Sequence, residues 1–142
     1  MDLVDPRGLR FAAWLTTAVL AIVLITGSAW LLLIQTVVFA LGAFRGLRAA
    51  PYGQLFRLTL ARRLGPPAER EPAAPPRFAQ GVGFGFAAVG TVAFFAGLGW
   101  LGLVATAFAL AAAFLNAAFG YCLGCQMYLL IKRITTPKGV TA

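Results

Sequence analysis

Two cysteines, Cys122 and Cys125, lie three positions apart in the stretch FGYCLGCQMYLLIKR, residues 119–133, and can act as one chemical unit. The first thiolate of such a pair attacks a disulfide or accepts sulfur, and the second thiol resolves the mixed disulfide or persulfide. Two thiolates also supply half of a tetrahedral four-cysteine metal site, which a second subunit would complete across a two-fold axis. A third interpretation is structural, because cysteine is a small, soft residue that packs well in an apolar helix. The spacing alone leaves all three open.

The residues that usually assist a thiol are missing from this stretch. The sequence has no histidine, which removes the commonest general base and the commonest transition-metal ligand. No Asp or Glu stands near the cysteines in the sequence. We therefore expect a thiol relay served by a separate soluble protein rather than a self-sufficient enzyme. No cofactor is evident, and no metal site within one chain is predicted.

Glycines flank the first cysteine and affect the interpretation of the pair. Gly120 and Gly124 favour a break in the helix near Cys122. A helix starting there would favour the thiolate, which is the reactive form, because the positive end of the helix dipole lies at the N-terminus. In an unbroken helix the two cysteines would instead share one face, and Asn116 would point away from them. The default role of polar residues within membrane helices is hydrogen bonding between helices. Among them, the amides of Asn116 and Gln35 are the candidates to orient a thiol or a ligand, and Asn116 reaches the cysteines only if the helix is kinked.

The composition places these residues in a membrane protein. The chain is 61% hydrophobic and 11% charged, against about 25% charged in soluble domains. The charges are also segregated, since none occurs between Arg10 and Arg45 or between Arg77 and Lys132. Uncharged apolar runs longer than about 18 residues indicate membrane-spanning helices.

The position of the basic residues predicts the orientation. A net charge of +8 would suit a nucleic-acid-binding protein, but both apolar runs lack Lys and Arg. The distribution is instead typical of the positive-inside rule with an even number of spans, both termini and the central loop lying in the cytosol, and no nucleic-acid partner is expected. The basic residues outside the runs are Arg7 and Arg10, seven arginines from Arg45 to Arg77, and Lys132, Arg133 and Lys138.

These patterns predict an all-α membrane protein whose single domain, residues 1–142, is a four-helix transmembrane bundle. The first run begins like a signal peptide, but the second apolar stretch that follows it favours a tight hairpin at residues 27–29. One long tilted helix is the alternative for that run. Trp30 and Trp100 would then lie at the two external hairpins, where indole rings favour the interface. The expected spans are roughly 7–27, 29–48, 79–98 and 101–131, with a cytosolic loop at 49–78.

The central loop combines a basic amphipathic segment with a proline-rich linker. Phe56, Leu60 and Leu64 recur at helical spacing among arginines, which predicts a short helix lying on the cytosolic leaflet. The alternative is a connecting loop whose arginines only fix the topology. Small-residue pairs four apart favour a compact bundle and a homo-oligomer or larger membrane complex. These pairs are Gly42 and Gly46, Gly81 and Gly85, and Gly120 and Gly124.

Four separated motifs, DPRGLRF, APYGQLFR, PPRFAQGVG and AAFLNAAFGYCLGCQMYLL, together resemble the small bacterial membrane proteins of the domain-of-unknown-function family 4395. The resemblance covers nearly the whole chain. It implies no established activity, and it implies a bacterial inner-membrane location and a thioredoxin-like or sulfurtransferase partner. The matching positions are Asp5, Pro6, Arg7 and Arg10; Pro51, Tyr52 and Gly53; Pro75, Pro76, Arg77, Phe78, Ala79 and Gln80; and Asn116, Gly120, Tyr121, Cys122, Gly124 and Cys125.

The resemblance implies a shared site facing the cytosol, in which Arg7, Arg10 and Arg77 are candidate partners of a thiolate or another anion. The alternative is that the Pro, Arg and Gln residues of these motifs only anchor helix ends at the headgroups. Two functions follow as hypotheses. One is a membrane-embedded thiol-disulfide or sulfur relay through Cys122 and Cys125. The other is a structural accessory subunit of a larger membrane complex, without chemistry of its own.

Overall fold

The structure, a computed structural model, describes residues 3–135, and within that range the chain folds into seven α-helices. Lys138, which belongs to the predicted cytosolic C-terminus, lies outside the described residues. Two strands of two residues each, β1 (Leu3–Val4) and β2 (Glu71–Pro72), pair antiparallel. Every other regular element within residues 3–135 is a helix, which confirms the predicted all-α class. The helices are α1 (Pro6–Thr26), α2 (Ala29–Ala40), α3 (Pro51–Leu58), α4 (Leu60–Leu64), α5 (Ala74–Phe95), α6 (Gly99–Phe119) and α7 (Leu123–Thr135).

Three of these helices, α1, α5 and α6, are long and apolar enough to cross a membrane. Each has 21 or 22 residues, or about 31–33 Å, which matches a hydrocarbon core of about 30 Å. The apolar helix Ala29–Arg45 is shorter. Within residues 3–135 the structure thus shows three candidate spans rather than the predicted four.

The long helices pack as a bundle together with α2. Helix α1 lies along α6, α2 along α5, and α5 along α6, while α1 also touches α2. Inside the bundle the hydroxyls of Thr36 and Thr91 lie 3.1 Å apart and join α2 to α5. The apolar core is formed by Leu20, Val23, Leu32, Phe39, Ala87 and Ala109.

Glycines on α5 and α6 let large side chains approach the backbone. A Cβ at Gly83 would lie 2.7 Å from the ring of Phe39, and one at Gly102 would lie 2.8 Å from the ring of Phe94. Such close approach favours helix packing in lipid, where van der Waals contact must replace the hydrophobic drive. The predicted pair on α5 behaves differently, because a Cβ at Gly85 would meet nothing within 4 Å.

The bundle has two unlike ends. At the hairpin end, α1 turns into α2 at Gly27, whose φ of 66° is open to glycine, and α5 turns into α6 at residues 96–98. Trp30 and Trp100 are both exposed near these turns, as the sequence predicts. At the opposite end, which we call the cysteine end, α1 and α5 begin, α2 and α6 stop, and α7 follows.

Helix boundaries at the cysteine end differ from the predicted ones. The predicted span 101–131 is wrong as one helix, because α6 stops at Phe119 and α7 starts at Leu123. The span 29–48 ends in a π-helical turn (Leu41–Arg45), followed by a 3₁₀ turn (Leu47–Ala49). The loop 49–78 contains α3 and α4, and α5 begins before its end, at Ala74, because proline is tolerated in the first turn of a helix.

Candidate functional site

The site begins where α6 is broken. Gly120 adopts φ 70°, a left-handed conformation in which a side chain is strained, and it ends the helix. The backbone N–H groups of Gly120 and Tyr121 turn back to the carbonyls of Asn116 and Leu115. This closure satisfies the carbonyls of Leu115 and Asn116 and directs the chain into a second helix. The alternative in which Gly120 breaks the helix, stated from the sequence, is the one that the structure shows.

Cys122 lies directly before α7 and caps its N-terminus. Its carbonyl accepts the first intrahelical hydrogen bond of α7, from the N–H of Gln126 at 3.0 Å. Its Sγ accepts the N–H of Cys125 at 3.2 Å. This is the position that Ser, Thr, Asp or Asn usually occupies, where a side-chain acceptor satisfies one of the free N–H groups of the first turn. A thiolate there gains from the hydrogen bond and from the positive end of the helix dipole.

The two cysteines form a disulfide, and their Cα atoms lie 5.1 Å apart. Cys122 and Cys125 are both partly exposed, so the sulfur atoms are not sealed inside the bundle. The adjacent ring of Tyr121 is 48% exposed. A CxxC pair that lies at a helix N-terminus and is accessible at the protein surface can undergo thiol-disulfide exchange with a second protein.

Arg10 connects α1 to this break. One Nη of Arg10 donates to the carbonyl of Ala117 at 3.0 Å and approaches that of Ala118 at 3.5 Å. Both carbonyls belong to the last turn of α6, where the backbone oxygens have no intrahelical partner. Arg10, predicted as a thiolate partner, thus contacts the helix end that immediately precedes Cys122 and not a cysteine sulfur.

Helix α7 docks against the start of α5 at a close contact. A Cβ at Gly124 would lie 2.5 Å from the Cβ of Ala79 and 2.6 Å from its Cα, so only glycine permits this approach. One turn further along α7, the rings of Tyr128 and Phe78 have centroids 5.7 Å apart. The third and fourth sequence motifs therefore meet at α7.

The other residues proposed for the site lie elsewhere. Arg7 forms an ion pair with Asp5 and donates to the carbonyl of Gly65. Arg77 donates to the carbonyls at the π-helical end of α2, at residues 43 and 44. Gln80 packs over Gly42. These contacts support the alternative interpretation, in which the motif residues hold helix ends in place.

Asn116 is partly buried in α6, and within the described part of the chain its side-chain amide makes no hydrogen bond. Its backbone carbonyl supports the turn at Gly120 instead. Among residues 3–135 there is also no cluster of three or more His, Cys, Asp or Glu side chains.

A polar contact that the motif analysis did not connect lies deeper in the bundle. The hydroxyl of Tyr52 on α3 donates to Oε1 of Gln35 on α2 at 2.6 Å. Gln35 is fully buried, and its Nε2 has no hydrogen-bond partner among residues 3–135. Burial also raises the pKa of Tyr52, which keeps the hydroxyl protonated as a donor. Both residues were singled out in the sequence separately, but nothing in their spacing paired them.

Comparison with known proteins gives one family. The model of the family described as Domain of unknown function (DUF4395) matches residues 4–133, nearly the whole chain. No curated protein and no solved structure matches the chain.

Proposed function

Since the chain belongs to the family described as Domain of unknown function (DUF4395), we propose a function from the geometry of the cysteine end: a membrane-embedded thiol-disulfide or sulfur relay that uses Cys122 and Cys125 with a soluble partner. The observation that carries the proposal is the placement of Cys122 at the N-terminus of α7, with the N–H of Cys125 on its sulfur. This placement favours the thiolate without a histidine or carboxylate.

The proposal includes a topology. The helix Ala29–Arg45 packs antiparallel to α5 and serves as the fourth crossing, since 17 residues are at the lower limit for a span. Neither hairpin turn carries a charge, whereas Arg7, Arg10, Arg45 and Arg77 all lie at the cysteine end. By the positive-inside rule, the proposal has the cysteine end and both termini in the cytosol. The bacterial inner membrane is the location that the family resemblance implies.

Helix α7 fits the cytosolic surface in this topology. Its 13 residues span about 20 Å, too short to cross the bilayer. It carries exposed apolar side chains along its length and ends with Lys132 and Arg133. Such a helix lies in the headgroup layer and presents its N-terminal disulfide to soluble proteins.

Exchange follows from the oxidised pair in two steps. A partner thiolate attacks Sγ of Cys122, which forms a mixed disulfide and releases Cys125 as a thiolate. The partner's second thiolate then attacks the partner's first sulfur in the mixed disulfide. This step releases Cys122 as a thiolate that is stabilised at the helix N-terminus. The partner leaves as a disulfide, and two electrons have passed to the CxxC pair.

The sulfur-relay form uses the reduced pair. The thiolate of Cys122 attacks the outer sulfur of a partner persulfide, takes that sulfur, and releases the partner's thiolate. Cys122 then carries a persulfide that an acceptor thiolate removes. A thioredoxin-like protein suits the first form of the reaction and a sulfurtransferase the second.

Trapping of the mixed disulfide tests the proposal. In Cys125→Ser, the remaining Cys122 should form a stable mixed disulfide with the resolving-Cys→Ser variant of a thioredoxin-like protein, visible as a reducible band on a gel. Cys122→Ser, which leaves only Cys125, is the matched control and should trap much less. Equal trapping by both variants, or none by either, would contradict the assigned roles.

A second candidate function, an accessory subunit, is favoured by one surface. Helix α5 has an exposed face that is formed by Gly85, Val89 and Val92, which lie within two helical turns. A Cβ at Gly85 would meet nothing within 4 Å. An assembly role through this face would survive replacement of both cysteines by serine and fail in Gly85→Leu. The relay would show the opposite pattern.

A further inference from the structure

Cys122 lies between two helix ends of opposite polarity. The C-terminus of α6, at Phe119, carries the negative end of its dipole, whereas the N-terminus of α7, at Leu123, carries the positive end. The two ends oppose each other at the cysteine, because the first disfavours a thiolate and the second favours it. Which effect dominates depends on what else binds the carbonyls of α6.

Helix α6 has no basic residue of its own in its last turn. The cation at this end comes from α1, since the guanidinium of Arg10 donates to the carbonyl of Ala117 at 3.0 Å and lies 3.5 Å from that of Ala118. A cation at a helix C-terminus offsets the negative end of the dipole. Arg10 therefore weakens the helix end that opposes the thiolate.

The other charged groups on the elements around Cys122 are engaged elsewhere or remote in the chain. Arg7 on α1 pairs with Asp5, and Arg77 on α5 holds the end of α2. Of the phenol side chains, Tyr121 directly precedes Cys122 and is 48% exposed, and Tyr128 on α7 packs against Phe78. The remaining charged residues of α7 are those of its last turn, Lys132 and Arg133.

We propose that Arg10 is a positioning residue for the thiol pair: it binds the last turn of α6 and thereby leaves the N-terminus of α7 as the dominant field at Cys122. This inference rests on the proposed function, because it explains how Cys122 becomes the attacking thiolate in a site without a base. Arg10 touches neither cysteine and acts through the backbone of α6.

The test measures the rate of alkylation of Cys122 by iodoacetamide against pH, in detergent-solubilised full-length Cys125→Ser. Arg10→Gln keeps a hydrogen-bond donor but removes the charge, and Arg10→Lys keeps the charge. Arg77→Gln is the matched control, because it removes a similar cation from the carbonyls of another helix. The expected result is a thiolate fraction about threefold lower in Arg10→Gln at pH values at least about one unit below the thiol pKa, with Arg10→Lys and Arg77→Gln close to the parent.

Each result separates the inference from the proposed function. A parent pKa well below 8.5 that rises only in Arg10→Gln supports both. If the pKa of Cys122 is low in the parent and unchanged in both Arg10→Gln and Arg77→Gln, the role of Arg10 is overturned and the relay proposal stands. An ordinary parent pKa contradicts the relay's activated thiol, whereas the difference between the two variants still decides the role of Arg10. If Arg10→Gln does not fold, Arg10→His decides the same question, because loss of its charge near pH 6.5 should add a second inflection to the rate profile.

Discussion

The hairpin end and the cysteine end of the bundle are made from the same apolar helices but satisfy their backbones differently. At the hairpin end, each helix passes into the next through a short turn, at Gly27 and at residues 96–98. At the cysteine end, side chains from other elements hold the last carbonyls of two helices: Arg77 those of α2, and Arg10 those of α6. Free helix ends are the places where backbone groups can act on ligands and reactive side chains. The comparison supports the proposal that the reactive site is at the end where helices stop without a simple turn.

The largest expected effect concerns the contact that holds α7. Gly124→Leu places a side chain against the backbone of Ala79, which cannot move aside, and should cost about 3 kcal/mol of docking free energy. Limited proteolysis should then cleave α7 while the bundle stays folded. Gly85→Leu, in open space, is the control and should leave the cleavage pattern unchanged. Global unfolding by Gly124→Leu would show that the two ends are one cooperative unit and would remove the distinction.

A smaller effect is expected at the buried polar contact below the cysteine end. Tyr52→Phe leaves the amide of Gln35 without a partner among residues 3–135 and should lower the unfolding free energy by about 1–2 kcal/mol in detergent. The double variant Tyr52→Phe/Gln35→Leu removes both polar groups and should recover most of that loss. A double variant less stable than Tyr52→Phe alone would mean that Gln35 has a partner the bundle does not supply.

The sequence predicts the fold better at the hairpin end than at the cysteine end. The hairpins follow from apolar run length, turn residues and the positions of Trp30 and Trp100, all of which are local signals. The break at Gly120 was open from the sequence, because glycine is tolerated within membrane helices as well as at their ends. The partners of Arg10 and Arg77 could not be predicted, since backbone carbonyls carry no sequence signature. The contact of Tyr52 with the side chain of Gln35 could not be predicted either, because nothing in the spacing of these two residues pairs them.

The next prediction concerns the start of α1, where Asp5 caps the helix and accepts from Arg7. The side-chain hydrogen bond from Arg7 holds the pKa of Asp5 below its ordinary value of 3.8. Because the folded-state pKa is lowered, the carboxylate stabilises the fold above about pH 4 and loses that effect as the pH falls further. Asp5→Ala should cost about 0.5–1 kcal/mol at pH 6, the open site keeping the value low. Thermal unfolding at pH 6 and at pH 3 measures the cost of Asp5→Ala at each pH, and a cost as large at pH 3 as at pH 6 would contradict the assignment.

The smallest effect is expected inside the regular part of the bundle. Thr36→Val removes the hydroxyl that meets Thr91, and such bonds between membrane helices contribute about 0.6 kcal/mol. The melting temperature should fall slightly, and the reactivity of Cys122 should not change. A change in cysteine reactivity would show that the middle of the bundle is coupled to the cysteine end and that the two regions do not act independently.

The central claim is that Cys122 and Cys125 form a reactive pair exposed at the cytosolic face. The most direct measurement is labelling with a membrane-impermeant maleimide in inside-out and right-side-out vesicles, with and without prior reduction. The account predicts labelling of both thiols only after reduction and only in inside-out vesicles, with loss of labelling when an oxidant is added. Cysteines that stay unlabelled in both orientations until the protein is denatured would contradict it and would assign the pair to helix packing.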